Sequence, residues 1–558
     1  MTKKKCKGLL VSDFNIQNLA GYLKGENDSL IIDVEVAPYD QVIQTLMQYN
    51  NSTENKKDMI IVWTQPESII TSFKEIIEFE KASLKKIIKE VDDYSSILIE
   101  ASKKTKTMFV PLWIVPSYNR GHGMIDIKNE FGISNVLRHM NMRLIENLKN
   151  NSNIFILDSQ RWISLVGKQA FSSKLYYMGK IPFNNDVFKE ASKDIKSALD
   201  GINGFARKLI VVDLDDTLWG GIVGDVGWEN LKLGGHDPHG ESFVDFQNAL
   251  KSFSKRGIIL GIVSKNEENI AIEAIKKHPE MVLKLDDFAG WKINWQDKAK
   301  NIMELTSELN LGLQSVVFID DNPVERARVR EALPDVFVPE WPEDKMLYKS
   351  FLLNLRCFDA PLLSEEDVKR TKMYVAERKR ENMKESFISI DKWLKSIDMR
   401  ISVNELSKEN IQRTTQLINK TNQMNLTTRR MTESELSDWV KQENNKLLTF
   451  SVSDKFGDSG LTGIISIEIE KDVGKIVDFV LSCRVLGRKV EETMLHQLIK
   501  YAKDMGLKEI KAKYIPTEKN KPCLGFWKKS GFDYNEKKNT FKWKIDKDFP
   551  LPNCIKIV

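Results

Sequence analysis

Several features that mark secreted or membrane-bound proteins are missing from this chain. Its 558 residues include only five cysteines, none of them in a CxxC pair: Cys6, Cys357, Cys483, Cys523 and Cys554. Widely spaced thiols in odd number are typical of reduced cysteines rather than of disulfides or a zinc site. No apolar run is long enough to span a bilayer, and none follows the opening Met-Thr-Lys-Lys-Lys as in a signal peptide. We therefore expect a cytoplasmic protein.

An excess of charge of one sign is also missing. The net charge of +5 is small for this length, which argues against the strongly basic face that nucleic-acid binding requires. The six histidines show no metal-ligand spacing. With 41% hydrophobic and 29% charged residues the composition is that of a globular protein, and the length predicts about three or four domains.

Strand-like and helical patterns divide the chain into four parts. Residues 1–200 alternate short apolar runs with amphipathic helices, which predicts a mostly parallel sheet. Residues 204–355 form a second strand-and-helix part, and a highly charged helix lies in a linker at 356–397. Helices followed by strands at 398–548 predict an α+β domain. The predicted fold class is therefore a multidomain α/β protein.

The second part carries the clearest chemical signal. Three acids, Asp213, Asp215 and Asp216, directly follow the apolar strand at 208–212. Carboxylates crowded beside a hydrophobic strand repel and desolvate one another. Mg2+ removes this difficulty because it prefers oxygen ligands, commonly one or two carboxylates together with phosphate. The pattern therefore predicts a magnesium site at which phosphate binds.

Two further strands of this part end at polar residues. The strand at 257–263 leads to Ser264, whose hydroxyl can donate to a phosphate oxygen, and the strand at 315–319 leads to Asp320 and Asp321. Ligands of parallel sheets bind at the carboxyl ends of the strands. We therefore expect these side chains to share one site.

A lysine completes the set. Lys298 opens a predicted helix, where it can neutralise a phosphorylated intermediate. Lys292 is the alternative, and we expect it to be a solvated loop residue because it does not begin a helix.

In the order Asp-x-Asp-x-Thr, Ser, Lys and Asp-Asp, these residues resemble the four motifs of the haloacid-dehalogenase (HAD) superfamily. The resemblance implies a Rossmann-like parallel sheet, an aspartyl-phosphate on Asp213, and Asp215 as general acid and base. The implied phosphate-binding residues are Thr217, Ser264 and Lys298, and the implied metal ligands are Asp213, Asp215, Asp320 and Asp321. Asp321 is expected to provide the side-chain ligand beside Asp213. Thr217 either hydrogen-bonds the site or caps the turn.

Only a short segment separates Thr217 from the next predicted helix, near Ser242. It has room for a hairpin flap but not for a large cap domain, so we expect an open site that suits a bulky or protein-borne substrate. Trp219 beside the flap is either a wall of the substrate site or a packing residue.

Longer runs narrow the resemblance. Residues 213–227, DLDDTLWGGIVGDVG, together with Asn294-Trp295, residues 318–326, FIDDNPVER, and residues 63–67, WTQPE, are similar to the FkbH-like family over nearly the whole chain. The resemblance implies a Mg2+-dependent enzyme that dephosphorylates 1,3-bisphosphoglycerate. It also implies that the glyceryl unit is loaded onto a phosphopantetheine-bearing acyl carrier protein for polyketide or related biosynthesis.

The first part resembles a degenerate SGNH-hydrolase domain. Such enzymes need a serine after the first strand and an Asp-x-x-His near the end. Here Ser12 is followed by Asp13, and Asp158 is followed three residues later by Arg161. Without a histidine as general base Ser12 is not activated, so we expect a binding domain rather than a catalytic one.

The last part resembles an N-acetyltransferase of the GNAT fold. Arg484, Gly487 and Arg488 lie in a loop between a strand and a helix, where backbone amides can cradle phosphate. Lys489 occupies a position where that fold expects a small residue, so acetyl-CoA binding is in doubt, but a phosphopantetheine arm could dock. Cys483, just before the loop, is either a buried strand thiol or an acceptor of the glyceryl group whose pKa Arg484 lowers.

Two other functions compete with carrier loading. The chain could be a stand-alone phosphatase of a small phosphorylated metabolite, or a silent scaffold for assembly-line partners. The complete set of acids and Lys298 argues against a silent scaffold. The flanking domains argue against a bare phosphatase, because an enzyme of a small metabolite needs neither of them.

Overall fold

The structure is a computed structural model that describes residues 4–26, 30–51, 56–235, 237–361, 365–385, 387, 389–517 and 520–558. The chain divides into two units, of which unit 1 comprises residues 1–207 and 354–362, and unit 2 comprises residues 208–353 and 363–558. Within the described residues no helix is both long enough and apolar enough to cross a membrane.

The described residues of unit 1 form a six-stranded sheet flanked by helices. Its strands are β1 (Lys4–Ser12), β2 (Gly25–Glu26), β3 (Leu30–Val36), β4 (Met59–Trp63), β5 (Thr107–Pro111) and β6 (Ile154–Leu157). Its helices are α1 (Gln17–Leu23), α2 (Val42–Asn51), α3 (Pro66–Ile69), α4 (Thr71–Ile77), α5 (Leu84–Ser102), α6 (Ile133–Leu148), α7 (Ser159–Val166), α8 (Ser173–Gly179) and α9 (Asn185–Ile202), with 3-10 turns at Gly123–Ile125 and Gly167–Gln169.

The strand order of this sheet is β2-β3-β1-β4-β5-β6, and every pair is parallel except β2 with β3. Successive side chains of β4 enter opposite cores, with Ile60 and Val62 on one face and Ile61 and Trp63 on the other. A strand covered by helices on both faces is apolar throughout. This is why the short apolar runs of the sequence predict a parallel sheet correctly.

The first part of unit 2 is a smaller parallel sheet. Its strands are β7 (Leu209–Val212), β8 (Ile259–Ser264), β9 (Phe288–Ile293) and β10 (Val316–Ile319), and its helices are α10 (Val223–Val226), α11 (Pro238–Lys255), α12 (Glu268–Lys277), α13 (Lys298–Glu308), α14 (Pro323–Ala332) and α15 (Tyr348–Leu353). Short 3-10 turns lie at Trp228–Asn230, Leu285–Asp287, Leu313–Ser315 and Lys345–Leu347. The strand order is β10-β7-β8-β9, with all pairs parallel.

The HAD-like sheet with a minimal cap is confirmed. Between β7 and α11 the described chain contains only α10 and one 3-10 turn. Strand β9 is missing from the sequence-based prediction because a glycine and a lysine interrupt its apolar pattern at Gly290 and Lys292.

The remainder of unit 2 is an α+β domain preceded by a long helix. Helix α16 (Glu365–Glu385) lies where the charged linker helix is predicted. The helices that follow are α17 (Ile390–Ser396), α18 (Ile411–Lys420), α19 (Glu433–Val440), α20 (Val490–Asp504) and α21 (Lys521–Lys529). The strands are β11 (Met399–Glu405), β12 (Met424–Asn425), β13 (Asn445–Asp454), β14 (Gly457–Glu470), β15 (Val473–Leu481), β16 (Glu509–Lys513), β17 (Asp533–Asn535), β18 (Thr540–Lys544) and β19 (Ile555–Ile557), with a 3-10 turn at Cys483–Val485.

These strands form one mixed sheet in the order β17-β18-β16-β15-β14-β13-β11-β19, and β12 pairs with β15. Most pairs are antiparallel, whereas β15 with β16 and β11 with β19 are parallel. Helix α20 packs on a core that includes Phe450, Leu481 and Trp527. The predicted α+β architecture is thus present.

Candidate active site

The predicted acids meet where the order of the strands reverses in the sheet β10-β7-β8-β9. From β7 the chain proceeds outward to β8 and β9, and then returns to place β10 on the other side of β7. Open α/β sheets bind ligands at the carboxyl ends of the strands beside such a reversal. Asp213 directly follows β7, and Asp320 and Asp321 directly follow β10. One ligand atom from each of these three residues lies within 4.8 Å of the others.

Lys298 lies at the centre of these acids. It is the first residue of α13 and is 3% exposed. Its Nζ lies 3.0 Å from Asp213 Oδ2 and 2.6 Å from Asp320 Oδ2. Burial by itself lowers the pKa of Lys298, but the two carboxylates outweigh burial and raise it. The alternative lysine, Lys292, instead pairs with Glu308 at 2.5 Å.

The site retains an excess of negative charge. Burial raises the pKa of Asp320 and of Asp321, and repulsion from Asp213 adds to both shifts. Asp213 Oδ1 is buried and has no hydrogen-bond partner. A buried carboxylate oxygen without a partner is costly, and a divalent cation would satisfy it. The residues therefore fit a Mg2+ ion.

The hydrogen bonds distinguish the two acids that follow β10. Asp320 Oδ1 accepts from the Asn322 N–H at 2.9 Å, and Oδ2 accepts from Lys298. Both of its oxygens are thus in use, and Asp320 orients the lysine. Within the described residues the Asp321 carboxylate accepts one long hydrogen bond, at 3.5 Å from the Thr217 hydroxyl, which leaves Asp321 as the better metal ligand beside Asp213.

Asp215 is held by three donors. Its Oδ1 accepts from Trp219 Nε1 at 2.8 Å and from the Val223 N–H at 3.1 Å, and its Oδ2 accepts from Asn266 Nδ2 at 2.9 Å. Burial raises the pKa of Asp215, although these hydrogen bonds oppose the shift. Both oxygens accept hydrogen bonds, which fixes the orientation of the Asp215 side chain. Its roles as general acid and base and as a metal ligand stay predictions.

Trp219 resolves the alternative that the sequence leaves open. It is 1% exposed and donates to Asp215. It therefore packs beneath the flap and positions the acid, and it does not form a substrate wall.

Thr217 and Ser264 are both buried at this edge of the sheet. The Thr217 hydroxyl accepts from the Asp321 N–H at 3.1 Å, which joins the loop after β7 to the loop after β10. Ser264 ends β8, and its Oγ accepts from Asn266 Nδ2 at 3.3 Å. The structure thus brings Thr217 to the site as a hydrogen-bonding residue and places Ser264 beside the partner of Asp215.

Three neighbours of the site are not predicted from the sequence. Asn266 binds both Asp215 and Ser264, and Lys345 forms an ion pair with Asp216. Arg326 Nη1 donates to the carbonyl oxygens of Asp320 and Asp321 at 2.8 and 2.7 Å. Arg326 could have been found because it closes the run FIDDNPVER, whereas Lys345 carries no local signal.

The loop at 484–489 is arranged differently from its predicted role in phosphate binding. Arg488 is buried and forms an ion pair with Glu377 of α16, and its Nη1 lies 3.8 Å from Asp454. The Gly487 N–H donates to Glu491 Oε1 at 2.7 Å. The Gly487 N–H, which a phosphate would use, is thus already bound to a carboxylate of the chain. The charge of Arg488 is neutralised by Glu377.

The other predicted residues of this loop also contact the chain itself. Arg484 Nε donates to Ser482 Oγ at 3.2 Å, and its guanidinium contacts Met373 of α16. Lys489 adopts a left-handed conformation with φ 66°, which non-glycine residues rarely adopt. Cys483 begins the 3-10 turn Cys483–Val485, but its side chain lies outside the described part of the structure.

The gap where strands β15 and β16 diverge is filled as well. Strand β15 pairs with β16 only as far as Ile476, and beyond this point it pairs with β12, with Asn425 opposite Val480. Asn520, which is buried, donates to the Asn425 carbonyl at 3.0 Å and holds β12 in place. The backbone groups that diverging strands would offer to an extended ligand are therefore used by the chain.

In unit 1 the side chains of two predicted hydrolase positions bind the local backbone. Ser12 Oγ accepts from the Phe14 N–H at 3.2 Å. Asp158 caps α7 by accepting from the Arg161 N–H at 3.3 Å. Ser12 and Asp158 thus stabilise local backbone.

Comparison with known proteins places the chain in a family. A model of the FkbH N-terminal domain matches residues 7–200. The crystal structure of the N-terminal part of BF1531 from Bacteroides fragilis, described as containing a phosphatase domain complexed with Mg, is 30% identical. The match covers 65% of this chain and 96% of that one, with a TM-score of 0.58. The chain belongs to the FkbH-like family.

Two acetyltransferase structures overlap a smaller part of this FkbH-like protein. The PaiA N-acetyltransferase of Thermoplasma acidophilum, in complex with coenzyme A, is 17% identical over 26% of this chain and 98% of that one, with a TM-score of 0.20. The ribosomal-protein-S18-alanine N-acetyltransferase of Escherichia coli is 8% identical over 26% of this chain and 94% of that one, with a TM-score of 0.21. None of the curated proteins matches the chain.

Proposed function

We propose that this FkbH-like protein is a Mg2+-dependent enzyme that dephosphorylates 1,3-bisphosphoglycerate and loads the glyceryl unit onto an acyl carrier protein for polyketide or related biosynthesis. The phosphotransfer part rests above all on the unpartnered Asp213 Oδ1 beside Asp321 and Lys298. The carrier part rests on membership of the family and on the small cap, which leaves room for a substrate borne by a protein.

The side chains support a two-step reaction. One oxygen of the Asp213 carboxylate attacks phosphorus, the bond from phosphorus to the leaving oxygen breaks, and Asp215 donates its proton to that oxygen. Water then attacks the aspartyl-phosphate, Asp215 accepts a proton from it, and inorganic phosphate leaves. Lys298 offsets the charge of the intermediate. Bound Mg2+, held by Asp213 and Asp321, would neutralise and align the phosphate.

The acyl transfer needs less assistance. The substrate has one acyl phosphate and one phosphate monoester. The carrier thiolate attacks the acyl carbonyl, a thioester forms, and phosphate leaves with the electrons of the broken bond. The monoester is hydrolysed slowly without a catalyst, so we assign the Asp213 chemistry to that phosphate.

The test is a mass measurement. The full chain is incubated with Mg2+, 1,3-bisphosphoglycerate and a holo carrier protein, and the carrier is then weighed. We expect a mass gain equal to one glyceryl group without phosphate. With Asp213→Asn we expect the gain to include the phosphate or to disappear, whereas the exposed Asp245→Asn, which removes only a surface pair with Lys349, should behave as the unchanged chain.

One observation favours a second candidate, a stand-alone phosphatase of a small phosphorylated metabolite. The loop at 484–489 is occupied by Glu491 and α16, so no phosphopantetheine site is ready there. Phosphate release without a mass gain on the carrier, across several acyl phosphates, would support this candidate and rule out carrier loading.

A further inference from the structure

The carboxyl edge of the unit 1 sheet lies at a second reversal of strand order. From β1 the chain goes to β3 on one side and then returns to β4 on the other side of β1. Ligands bind outside the carboxyl ends of strands at such a point. Asp13 follows β1, and Glu67 lies in the first turn of α3, directly after β4.

Asp13 is a buried acid whose hydrogen bonding is incomplete. It is 5% exposed, and its Oδ1 accepts from the Gln65 N–H at 3.0 Å. Its Oδ2 is buried without a hydrogen bond of good geometry, although the Ser68 hydroxyl is close enough to lower the pKa. Burial prevails and, with the Glu67 charge, raises the pKa of Asp13 to about 7. Burying a carboxylate with one unpartnered oxygen is costly, and a bound cation would offset that cost.

A second polar atom nearby also lacks a partner. Tyr94 Oη is buried without a hydrogen bond of good geometry, and the Asp13 charge acts on it. Burial raises the pKa of Tyr94, and the nearby Thr64 hydroxyl opposes that shift. Native structures rarely leave two buried polar groups of one site unsatisfied, which points to a bound group that supplies the missing interactions.

Among the described residues no basic side chain lowers the pKa of Asp13 or Glu67 through its charge. Burial raises the pKa of Glu67. This edge of the sheet therefore holds two partly or fully buried carboxyl groups whose negative charge a bound cation would neutralise.

Exposed tyrosines border these acids. They are Tyr39, Tyr118, Tyr176 and Tyr177. Tyr39 and Tyr176 interact electrostatically with Asp13, and Tyr176 also does so with Glu67, Tyr118 and Tyr177. Lys180 Nζ already lies 4.9 Å from the centre of the Tyr176 ring, so one face of this ring accommodates an ammonium group.

We propose that this edge of unit 1 binds a small organic ammonium ion, with its charge beside Asp13 and Glu67 and its alkyl group against the tyrosine rings. Buried carboxylates and aromatic faces attract such an ion through the same positive charge. The site is separate from the phosphotransfer site, and the proposal does not depend on the proposed function.

The test is titration calorimetry of the full chain with n-butylammonium, and with n-butanol as a neutral analogue of the same shape. We expect the amine to bind and the alcohol not to bind. Binding should be about tenfold weaker one pH unit below the pKa of Asp13 than well above it, because only about one tenth of Asp13 is then ionised. Equal binding of the alcohol, or no heat from the amine up to about 50 mM, would overturn the proposal.

Variants separate charge from packing. Asp13→Asn and Glu67→Gln should each abolish measurable binding of n-butylammonium. The exposed Asp186→Asn, which loses only a surface pair with Lys189, should not. Tyr176→Phe keeps the ring and should bind normally, whereas Tyr176→Leu should bind about fivefold more weakly. Because Tyr176 is at the surface, the latter pair remains decisive even if Asp13→Asn fails to fold, and equal affinities for Phe and Leu would contradict the aromatic contact.

Discussion

Two clusters in unit 2 place acids and bases in loops that directly follow strands, yet they differ in what they leave unsatisfied. Around Lys298, two carboxylates share one buried ammonium, a third acid lies close to them, and Asp213 Oδ1 has no hydrogen-bond partner. Around Arg488, the guanidinium pairs with Glu377, and the Gly487 amide donates to Glu491.

The difference teaches what a binding site for a charged ligand needs. The cluster around Lys298 has more carboxylates than basic groups, so it can bind a further cation together with a phosphate. The cluster around Arg488 has its own carboxylates in the place of the ligand, and burial raises the pKa of Glu491. A loop of suitable sequence therefore binds a charged ligand only if some of its charged groups have no partner within the chain.

The largest expected effect is the loss of phosphatase activity in Asp213→Asn. We expect kcat/KM for phosphate release to fall by at least about a thousandfold, because a neutral amide replaces the attacking carboxylate. In the absence of Mg2+ the same variant should unfold at a higher temperature, since one of three repelling acids is gone. Activity within about tenfold of the unchanged chain would show that Asp213 is not the nucleophile.

Magnesium should stabilise the first cluster. At a concentration about a hundred times its Kd, Mg2+ should raise the free energy of unfolding by about 2.7 kcal/mol, as measured by chemical denaturation. We expect Asp321→Asn to lose most of this gain and Asp245→Asn to keep it. If Mg2+ stabilised Asp321→Asn as much as the unchanged chain, Asp321 would not be a metal ligand.

Mutation of the cluster around Arg488 should change the free energy of unfolding but not the phosphatase activity. We expect Arg488→Ala to lower the free energy of unfolding by about 2 kcal/mol, because Glu377 loses a partner in a partly buried pair. The loss is moderate because Arg380 still binds Asp454 with two hydrogen bonds. Phosphatase activity should be unchanged when it is measured under conditions in which both the variant and the unchanged chain are folded.

A surface arginine provides the control for that comparison. Arg400→Ala removes an exposed pair with Asp398 and should change the free energy of unfolding by less than about 0.5 kcal/mol. If Arg488→Ala instead abolished phosphate release while remaining folded, the two clusters would not be independent.

The smallest expected effect is a shift in pH dependence. Burial raises the pKa of Asp215, so its proton remains available at higher pH, and kcat/KM should fall about tenfold per pH unit above that pKa. The hydrogen bond from Asn266 lowers the same pKa. Asn266→Ala should therefore move the alkaline limb of the profile to higher pH, and a shift to lower pH would contradict Asp215 as the acid.

Much of the phosphotransfer site could be predicted because its signals are local. An apolar strand followed by an acid or serine identifies Asp213, Ser264, Asp320 and Asp321, and a helix start identifies Lys298. The choice between Lys298 and Lys292 rests on the same local reasoning, and the structure agrees with it.

The phosphate-binding role of the C-terminal loop stays a prediction, and the contacts that its residues make could not be foreseen because they are remote in the chain. The spacing of Arg484, Gly487 and Arg488 resembles a phosphate loop, but Arg488 meets Glu377, which is 111 residues away in the chain. Likewise, Thr217 meets Asp321 across 104 residues. Residue spacing alone cannot show which of these atoms already have partners.

The sequence by itself determined the alternation of strands and helices apart from elements such as β9, the family, and which side chains have the chemistry for phosphotransfer. These follow from apolar periodicity and from residues adjacent to strand ends, which are local properties of the chain. Only the tertiary structure decided that Asp213 Oδ1 and Asp13 Oδ2 are unsatisfied while Arg488 is neutralised. Burial and hydrogen bonding depend on which distant segments pack together, and these two quantities determine where charge is left for a ligand.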